Sequence, residues 1–345
     1  MFQDIKVEEW IQQKDHKTIT LIDVRSPSEY RDSTIPGSLN IPVFNDEERA
    51  EIGTLYKQVS VEAAKERGLE IMSAKLPSFI RQFKEIEGDK AVFCWRGGMR
   101  SRTAATVLSL MDIHVKRIQG GIKAYRKLVV DTLAHTRMDM EAVVLHGFTG
   151  TGKTEILQQL KSEGYPVLDL EKLSGHRGSI FGHIGLPSHN QKTFDAHFYE
   201  SLRELSHSPY VLLEAESKRI GKVVLPEFLM EKKEGGTAII LQLPMEQRVA
   251  QILKDYHPEQ HKEACIQAFQ RIKERIHTPV AAEIANCLKE DSFAEAVRLL
   301  LVHYYDPKYD HSARLYDENK QIVVHAQNTK EAAEHIKSIL QQRFH

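Results

Sequence analysis

Residues 147–154 read GFTGTGKT, a full match to G-x-x-x-x-G-K-[ST], with the apolar run AVVLH before them and the helical pattern KTEILQQLKSEG from Lys153 onward. A strand that runs into a glycine-rich turn and out through a helix N-terminus commits its surroundings to a layered α/β sheet. Gly147, Gly150 and Gly152 allow backbone N–H groups to wrap a phosphate, Lys153 reaches the terminal phosphate, and Thr154 can ligate Mg²⁺. Such a loop selects a polyphosphate and does not read a base.

The same sheet continues through YPVLDL, YVLLEAE and TAIILQL, three more apolar runs of strand length. Beyond about residue 245 the pattern turns helical, in MEQRVAQILKDY, HKEACIQAFQRIKERI and AAEIANCLKEDSFAEAVRLLLVHYY, and closes with the strand KQIVVHA and the helix TKEAAEHIKSILQQRFH. At 345 residues the chain exceeds one ordinary core. A separate alternation precedes the loop: TITLIDV, KAVFC and VKRI as strands, LPSFIRQFKEIEG and SRTAATVLSLMD as helices. The expectation is two α/β domains, 1–135 with a parallel sheet and 136–345 with a helical C-terminal part, joined by the helix GGIKAYRKLVVDTLAHTRM.

The first domain carries its own loop, CWRGGMRS, from Cys94 to Ser101. A free thiol titrates near about 8.5, so a catalytic cysteine needs a local positive field. If Cys94 ends a strand and Ser101 opens a helix, the intervening N–H groups form a nest, Gly97 and Gly98 permit the curl, and Arg96 and Arg100 add charge. That loop would hold an anion bonded to sulfur, whether a persulfide, a perselenide or a phosphoryl group. Cys265 and Cys287 lie in helical patterns and read as packing residues.

Charge is nearly balanced overall, at −1, yet from Cys94 to Lys127 eight cations face Asp112 alone, which favours an anionic substrate. Three scattered cysteines exclude a disulfide framework or a cysteine zinc site and fit a reducing compartment. No run approaches the roughly 20 apolar residues of a membrane span, and MFQDIKVEEW lacks a signal-peptide pattern. A cytoplasmic monomer without a membrane partner is expected.

Phosphoryl chemistry would need acids at a neighbouring strand end. YVLLEAESKRIG supplies Glu214 and Glu216, and the polar stretch LEKLSGHRGSIFGHIGLPSHNQKTF supplies His176 and Arg177, as substrate- or metal-water-facing candidates. Arg248, Lys254, Lys262, Arg271, Lys273 and Arg275, on helical patterns, are candidate RNA contacts.

LIDVRSPSEY, STIPGSLNIP, CWRGGMRS and IQGGIKAY, in this order, resemble a rhodanese domain over roughly the first 130 residues. Asp23 and Arg25 match its Asp-Val-Arg element, Glu29 its following acid and Cys94 its persulfide carrier. Five residues separate Cys94 from Arg100, a longer spacing than in the commoner sulfurtransferase loop and one shared with cysteine-dependent phosphatases. The loop alone therefore leaves sulfur or selenium transfer and phosphoryl chemistry both open.

With a phosphate-loop domain of P-loop NTPase-like type behind it, and with LEKLSGHRGSIFG and LLEAESKRIG, the whole chain resembles the tRNA 2-selenouridine synthases. The resemblance implies a transferase acting on the anticodon-loop wobble uridine of tRNA, with geranyl diphosphate and selenophosphate as substrates and no tightly bound organic cofactor. The 2-thio group is S-geranylated, and selenium carried as a selanyl adduct on Cys94 then replaces it. Two alternatives remain at this level: a rhodanese-type sulfurtransferase coupled to an ATP-binding domain, and an inert anion-sensing module coupled to a nucleotide switch.

Overall fold

The computed structural model describes residues 2–14, 19–307 and 318–344. The chain divides into two compact units, Met1–His135 with Asp195–Tyr199, and Thr136–Phe194 with Glu200–His345.

In the first unit the elements run β1 (Gln3–Ile5), α1 (Val7–Lys14), β2 (Ile19–Asp23), α2 (Pro27–Asp32), β3 (Leu39–Asn40), α3 (Asp46–Gln58), α4 (Val61–Lys84), β4 (Asp89–Phe93), α5 (Met99–Leu110), β5 (Lys116–Ile118) and α6 (Gly121–His135). The strands form one parallel sheet ordered β1-β5-β4-β2-β3. Parallel strands need crossovers, and helices on the faces bury them on both sides, which is why Leu21, Ile22, Val92 and Phe93 are all in the core. The helix expected over LPSFIRQFKEIEG is the end of the much longer α4, which runs through Pro77. α3 was not expected: it buries no residue and so carries no apolar stripe to reveal it.

The second unit contains β6 (Glu141–Gly147), α7 (Lys153–Ser162), β7 (Val167–Leu168), α8 (Leu170–Ser174), α9 (Gln191–Leu205), β8 (Tyr210–Glu214), β9 (Arg219–Ile220), β10 (Val223–Val224), α10 (Glu227–Glu234), β11 (Thr237–Gln242), α11 (Met245–Tyr256), α12 (Lys262–Gln270), α13 (Thr278–Lys289), α14 (Phe293–Leu300), β12 (Gln321–His325) and α15 (Thr329–Phe344). Its main sheet is again wholly parallel, ordered β12-β11-β6-β8-β7, with the phosphate-loop strand at the centre. The strand expected over YPVLDL is only two residues long, because Asp169 leaves it to cap α8, accepting from the Lys172 N–H at 2.8 Å.

A separate helical core gathers Phe269, Ile272, Ile284, Leu288 and Leu300. The run expected as one helix from Ala281 to Tyr305 breaks at Asp291, whose φ of 60° ends α13, and finishes in a π-helical turn at Leu301–Tyr305. Among the described residues no helix is long and apolar enough to cross a membrane.

Candidate active sites

Each unit places a glycine loop at the carboxyl end of its central strand, where open parallel sheets bind ligands. In the first, β4 delivers Cys94 to the floor of the turn, 3% exposed, with Sγ 3.2 Å from Ser101 Oγ. α5 begins at Met99, two residues earlier than expected, and no side chain caps its N-terminus, so its positive end stays available to a thiolate. Gly97 turns the chain at φ 64°, where a Cβ would lie 2.9 Å from Gly120 N. Gly121 is tighter still, with φ 57° and a hypothetical Cβ 2.1 Å from Cys94 O. That closeness lets the Ile122 N–H donate to Cys94 O and the Lys123 N–H to Trp95 O, each at 3.0 Å. The QGG segment therefore closes the cysteine loop from outside.

Arg100 is held by both oxygens of Glu29, one at 3.1 Å. Although burial favours loss of charge on both partners, the ion pair wins, keeping the Glu29 carboxyl below and the Arg100 guanidinium above their ordinary values. Arg117 donates to Gly97 O at 3.0 Å and is paired with Asp4, so two of the eight cations counted in this stretch are matched by acids elsewhere in the unit. Arg96 is exposed at the rim. Asp23 and Arg25 form a fully buried pair at 2.6 Å that also gathers Thr34 and the Ser33 carbonyl; they brace the segment leading to Glu29.

In the second unit Gly147, Gly150 and Gly152 take φ of 155°, 83° and 72°. Lys153 Nζ donates to the loop's own carbonyls, Gly147 O at 2.9 Å and Phe148 O at 3.3 Å. Thr154 Oγ1 donates to Glu171 Oε2 at 2.6 Å. Glu171 shares a further hydrogen bond with Glu216, and burial together with the Glu216 charge pushes its carboxyl up to about 7. Burial also raises Glu216. Two carboxyls sharing one hydrogen bond hold a proton between them near neutral pH, beside the lysine and threonine of the phosphate loop. Lys233, 3% exposed, donates to the Glu216 carbonyl, and burial brings its ammonium down to about 8.

An apolar cavity opens beside this loop. Thr149 forms one wall, and Ile252, Phe293, Leu300, Leu301 and Tyr305 are among the apolar side chains that form the others, with the Ser179–Tyr256 hydroxyl pair at 3.1 Å. Two of these residues belong to the π-helical turn.

The sequence profile described as "tRNA 2-selenouridine synthase AAA domain" matches residues 140–343, and that of the rhodanese-like domain matches residues 6–128. Curated proteins named tRNA 2-selenouridine synthase are similar along most of the chain. That of Shewanella piezotolerans is 32% identical over 84% of this chain and 88% of its own, and that of Hydrogenovibrio crunogenus 33% identical over 86% and 89%. The chain belongs to the tRNA 2-selenouridine synthase family. Against the Nitrosomonas europaea relative, 36% identical over 68% of this chain, it spans 63% of that protein's length.

Several residues of this 2-selenouridine synthase family member sit differently from their sequence reading. Arg248 is not an RNA contact. It is 5% exposed, pairs with Asp306 at 2.6 Å and donates to Thr149 O at 2.9 Å, bracing the phosphate loop. Lys254 and Lys262 are on the surface, as that reading has them, paired with Glu155 and Asp291. Glu214 is fully buried, accepts from the Leu170 N–H at 2.9 Å and is driven well above the carboxylate range by burial with Asp169 and Glu171 nearby, while Glu216 shares the hydrogen bond with Glu171. Arg177 donates to Ile184 O at 2.8 Å and lies over the Tyr256 ring, ordering the 176–184 turn. His176 packs against His183, is lowered by burial, and its Nδ1 has no partner among the described residues. Among those residues no group of three His, Cys, Asp or Glu side chains is arranged to hold a metal. Glu171 was missed; its signal was the pair Asp169-Leu-Glu171 directly after a strand. Lys233, in the charged run EKKE, gave none.

Proposed function

We propose that this protein replaces the 2-thio group of the wobble uridine in tRNA by selenium in two steps divided between its two loops. In the second unit the uridine sulfur attacks the first carbon of geranyl diphosphate, the carbon–oxygen bond breaks, and diphosphate leaves into the N–H groups of the 147–154 loop and Lys153. Thr154, with Glu171 behind it, would supply hard oxygen donors for a Mg²⁺ carried in on the diphosphate. In the first unit the selenium of selenophosphate, held in the Cys94 loop, attacks C2 of the S-geranylated base; the C2–S bond breaks, the geranyl thiolate leaves and takes the Cys94 proton, and water cleaves the Se–P bond, releasing phosphate and leaving 2-selenouridine.

The observation that carries this reading is the apolar cavity starting at Thr149. A nucleotide bound at a phosphate loop directs a polar base away from the phosphates, whereas this lining suits a hydrocarbon chain. At 60 Å³ the cavity is narrow against the roughly 300–1,000 Å³ of pockets that enclose drug-sized ligands, so seating ten carbons requires the side chains of α14 to part from α11.

The test is mass spectrometry of nucleosides from tRNA bearing 2-thiouridine, incubated with the protein and geranyl diphosphate, with and without selenophosphate. S-geranyl-2-thiouridine without selenophosphate and 2-selenouridine with it are expected. Unchanged tRNA together with ATP-stimulated persulfide turnover would replace this reading by the nucleotide-driven sulfurtransferase.

A further inference from the structure

In front of the cysteine loop lies a cleft of 960 Å³ walled by α3, α4 and the start of α5. Selenophosphate or another small anion beside Cys94 needs a small fraction of that space, and pockets of this size ordinarily enclose whole organic ligands. The lining contains five cations, Arg49, Lys57, Lys65, Arg96 and Arg100, and no carboxylate; from outside it Glu62 pairs with Lys65 at 3.1 Å and Glu29 with Arg49 and Arg100, which leaves Lys57 and Arg96 without an acid partner among the described residues. It also holds aromatic surface facing water: Trp95 is 38% exposed and Tyr56 60%, beside Met99 at 62%. Tyr56 belongs to α3, a helix that buries nothing, so its exposure has no packing explanation. Exposed aromatic planes among cations and without acids are what a single-stranded nucleic acid requires, the rings taking bases and the cations taking phosphates. A protein-docking face is instead depleted in lysine.

The geometry points to a single-stranded RNA site: we propose that this cleft takes an extruded nucleotide of the anticodon loop, its base stacked on Trp95 and its flanking phosphates met by Lys57, Lys65 and Arg96. It rests on the function proposed above for the identity of the RNA. The base, stacked on Trp95, then lies beside Cys94, with Arg100 fixed by Glu29 at the same loop.

The chain has two tryptophans, and Trp10 is 1% exposed, so quenching of tryptophan emission by an added oligonucleotide reports on Trp95. The probe is a 17-nucleotide anticodon stem–loop carrying 2-thiouridine, titrated into the full-length chain at several salt concentrations. We expect saturable quenching, affinity weakened about tenfold in Trp95→Ala and largely restored in Trp95→Phe. The double variant Lys57→Ala/Lys65→Ala should lower the salt slope by about 1.4, near 0.7 for each lost phosphate contact. Thermal melts check that each variant folds. Unchanged affinity and slope in these variants, or equal competition by a blunt RNA duplex, overturns the proposal. So does retained hairpin affinity with lost transfer from a selenium-loaded donor protein, which would make the cleft a protein dock. Nucleoside analysis run in parallel separates the two claims: a wild-type chain that binds the loop and is quenched but makes no 2-selenouridine leaves the cleft assigned and removes the proposed activity.

Discussion

The loop after β4 and the loop after β6 leave parallel strands, turn through left-handed glycines and enter helices, yet they differ in what stands at the centre and in how each cation is held. In the first, the centre is a side chain, Cys94, and Arg100 is fixed by a carboxylate from α2. In the second the centre is backbone, and Lys153 rests on two neutral carbonyls of its own loop. A cation paired with a partly buried carboxylate is expensive to move, whereas hydrogen bonds from a charged donor to neutral carbonyls, about 1.5–3 kcal/mol each, carry no opposing formal charge and are the ones an incoming diphosphate can replace. On the function proposed above, the same backbone device would serve a fixed anion nest beside Cys94 in one unit and an exchangeable polyanion site in the other.

The sharpest way to break this contrast is Cys94→Ser. Selenium incorporation should vanish while S-geranyl-2-thiouridine still forms, and equal loss of both products would mean that the loops do not divide the work. Lys153→Ala should slow geranylation on the order of 10²-fold, the usual cost of one donor to a developing anion, and should spare selenation of tRNA supplied already S-geranylated. Time courses on the two substrates separate these rates.

A third test concerns backbone. Gly121→Ala forces a Cβ toward Cys94 O at positive φ and should cost the first unit about 3 kcal/mol in urea unfolding, whereas Gly98→Ala, with nothing within 4 Å, should cost under about 1 kcal/mol. Similar losses at both positions would show that the loop's shape is not set by the QGG segment.

The smallest effect is in pH. Glu171, pushed up to about 7 from 4.5 by burial, binds its proton more tightly folded than unfolded, so its contribution to stability is full below 4.5 and is lost as pH rises through 7. His146, held down to about 4 by burial with Lys153 nearby, acts oppositely, and its contribution rises from pH 4 to 6.5. The two offset each other in the wild type. Glu171→Gln should leave the rising limb alone, a difference on the order of 2 kcal/mol between pH 5 and 7 by chemical denaturation; parallel profiles would place the shared proton elsewhere.

Both loops were legible in the sequence because their parts are contiguous: a strand, glycines where φ must be positive, and the first turn of a helix. What escaped is non-local or unpatterned. Glu171 meets Thr154 only because β7 and α7 are neighbours across 17 residues, and Glu216 joins them from the end of β8. Arg248 looked like a surface cation on a helix and is instead the brace between Thr149 and Asp306. α3 has no buried face, and α4 contains a proline that usually argues for an ending; together they wall the cleft in front of the cysteine loop.

The closing of the cysteine loop by Ile122 and Lys123 also fixes when the site comes into being. A nascent chain that has emerged only as far as Ile118 already carries Cys94 and the whole of α5, but none of the N–H groups that tie down the carbonyls of residues 94 and 95. At about 5–20 residues per second the interval is short. During it the carbonyls of residues 94 and 95 lack these N–H partners, so the shape of the loop is completed only with the last helix of residues 1–135.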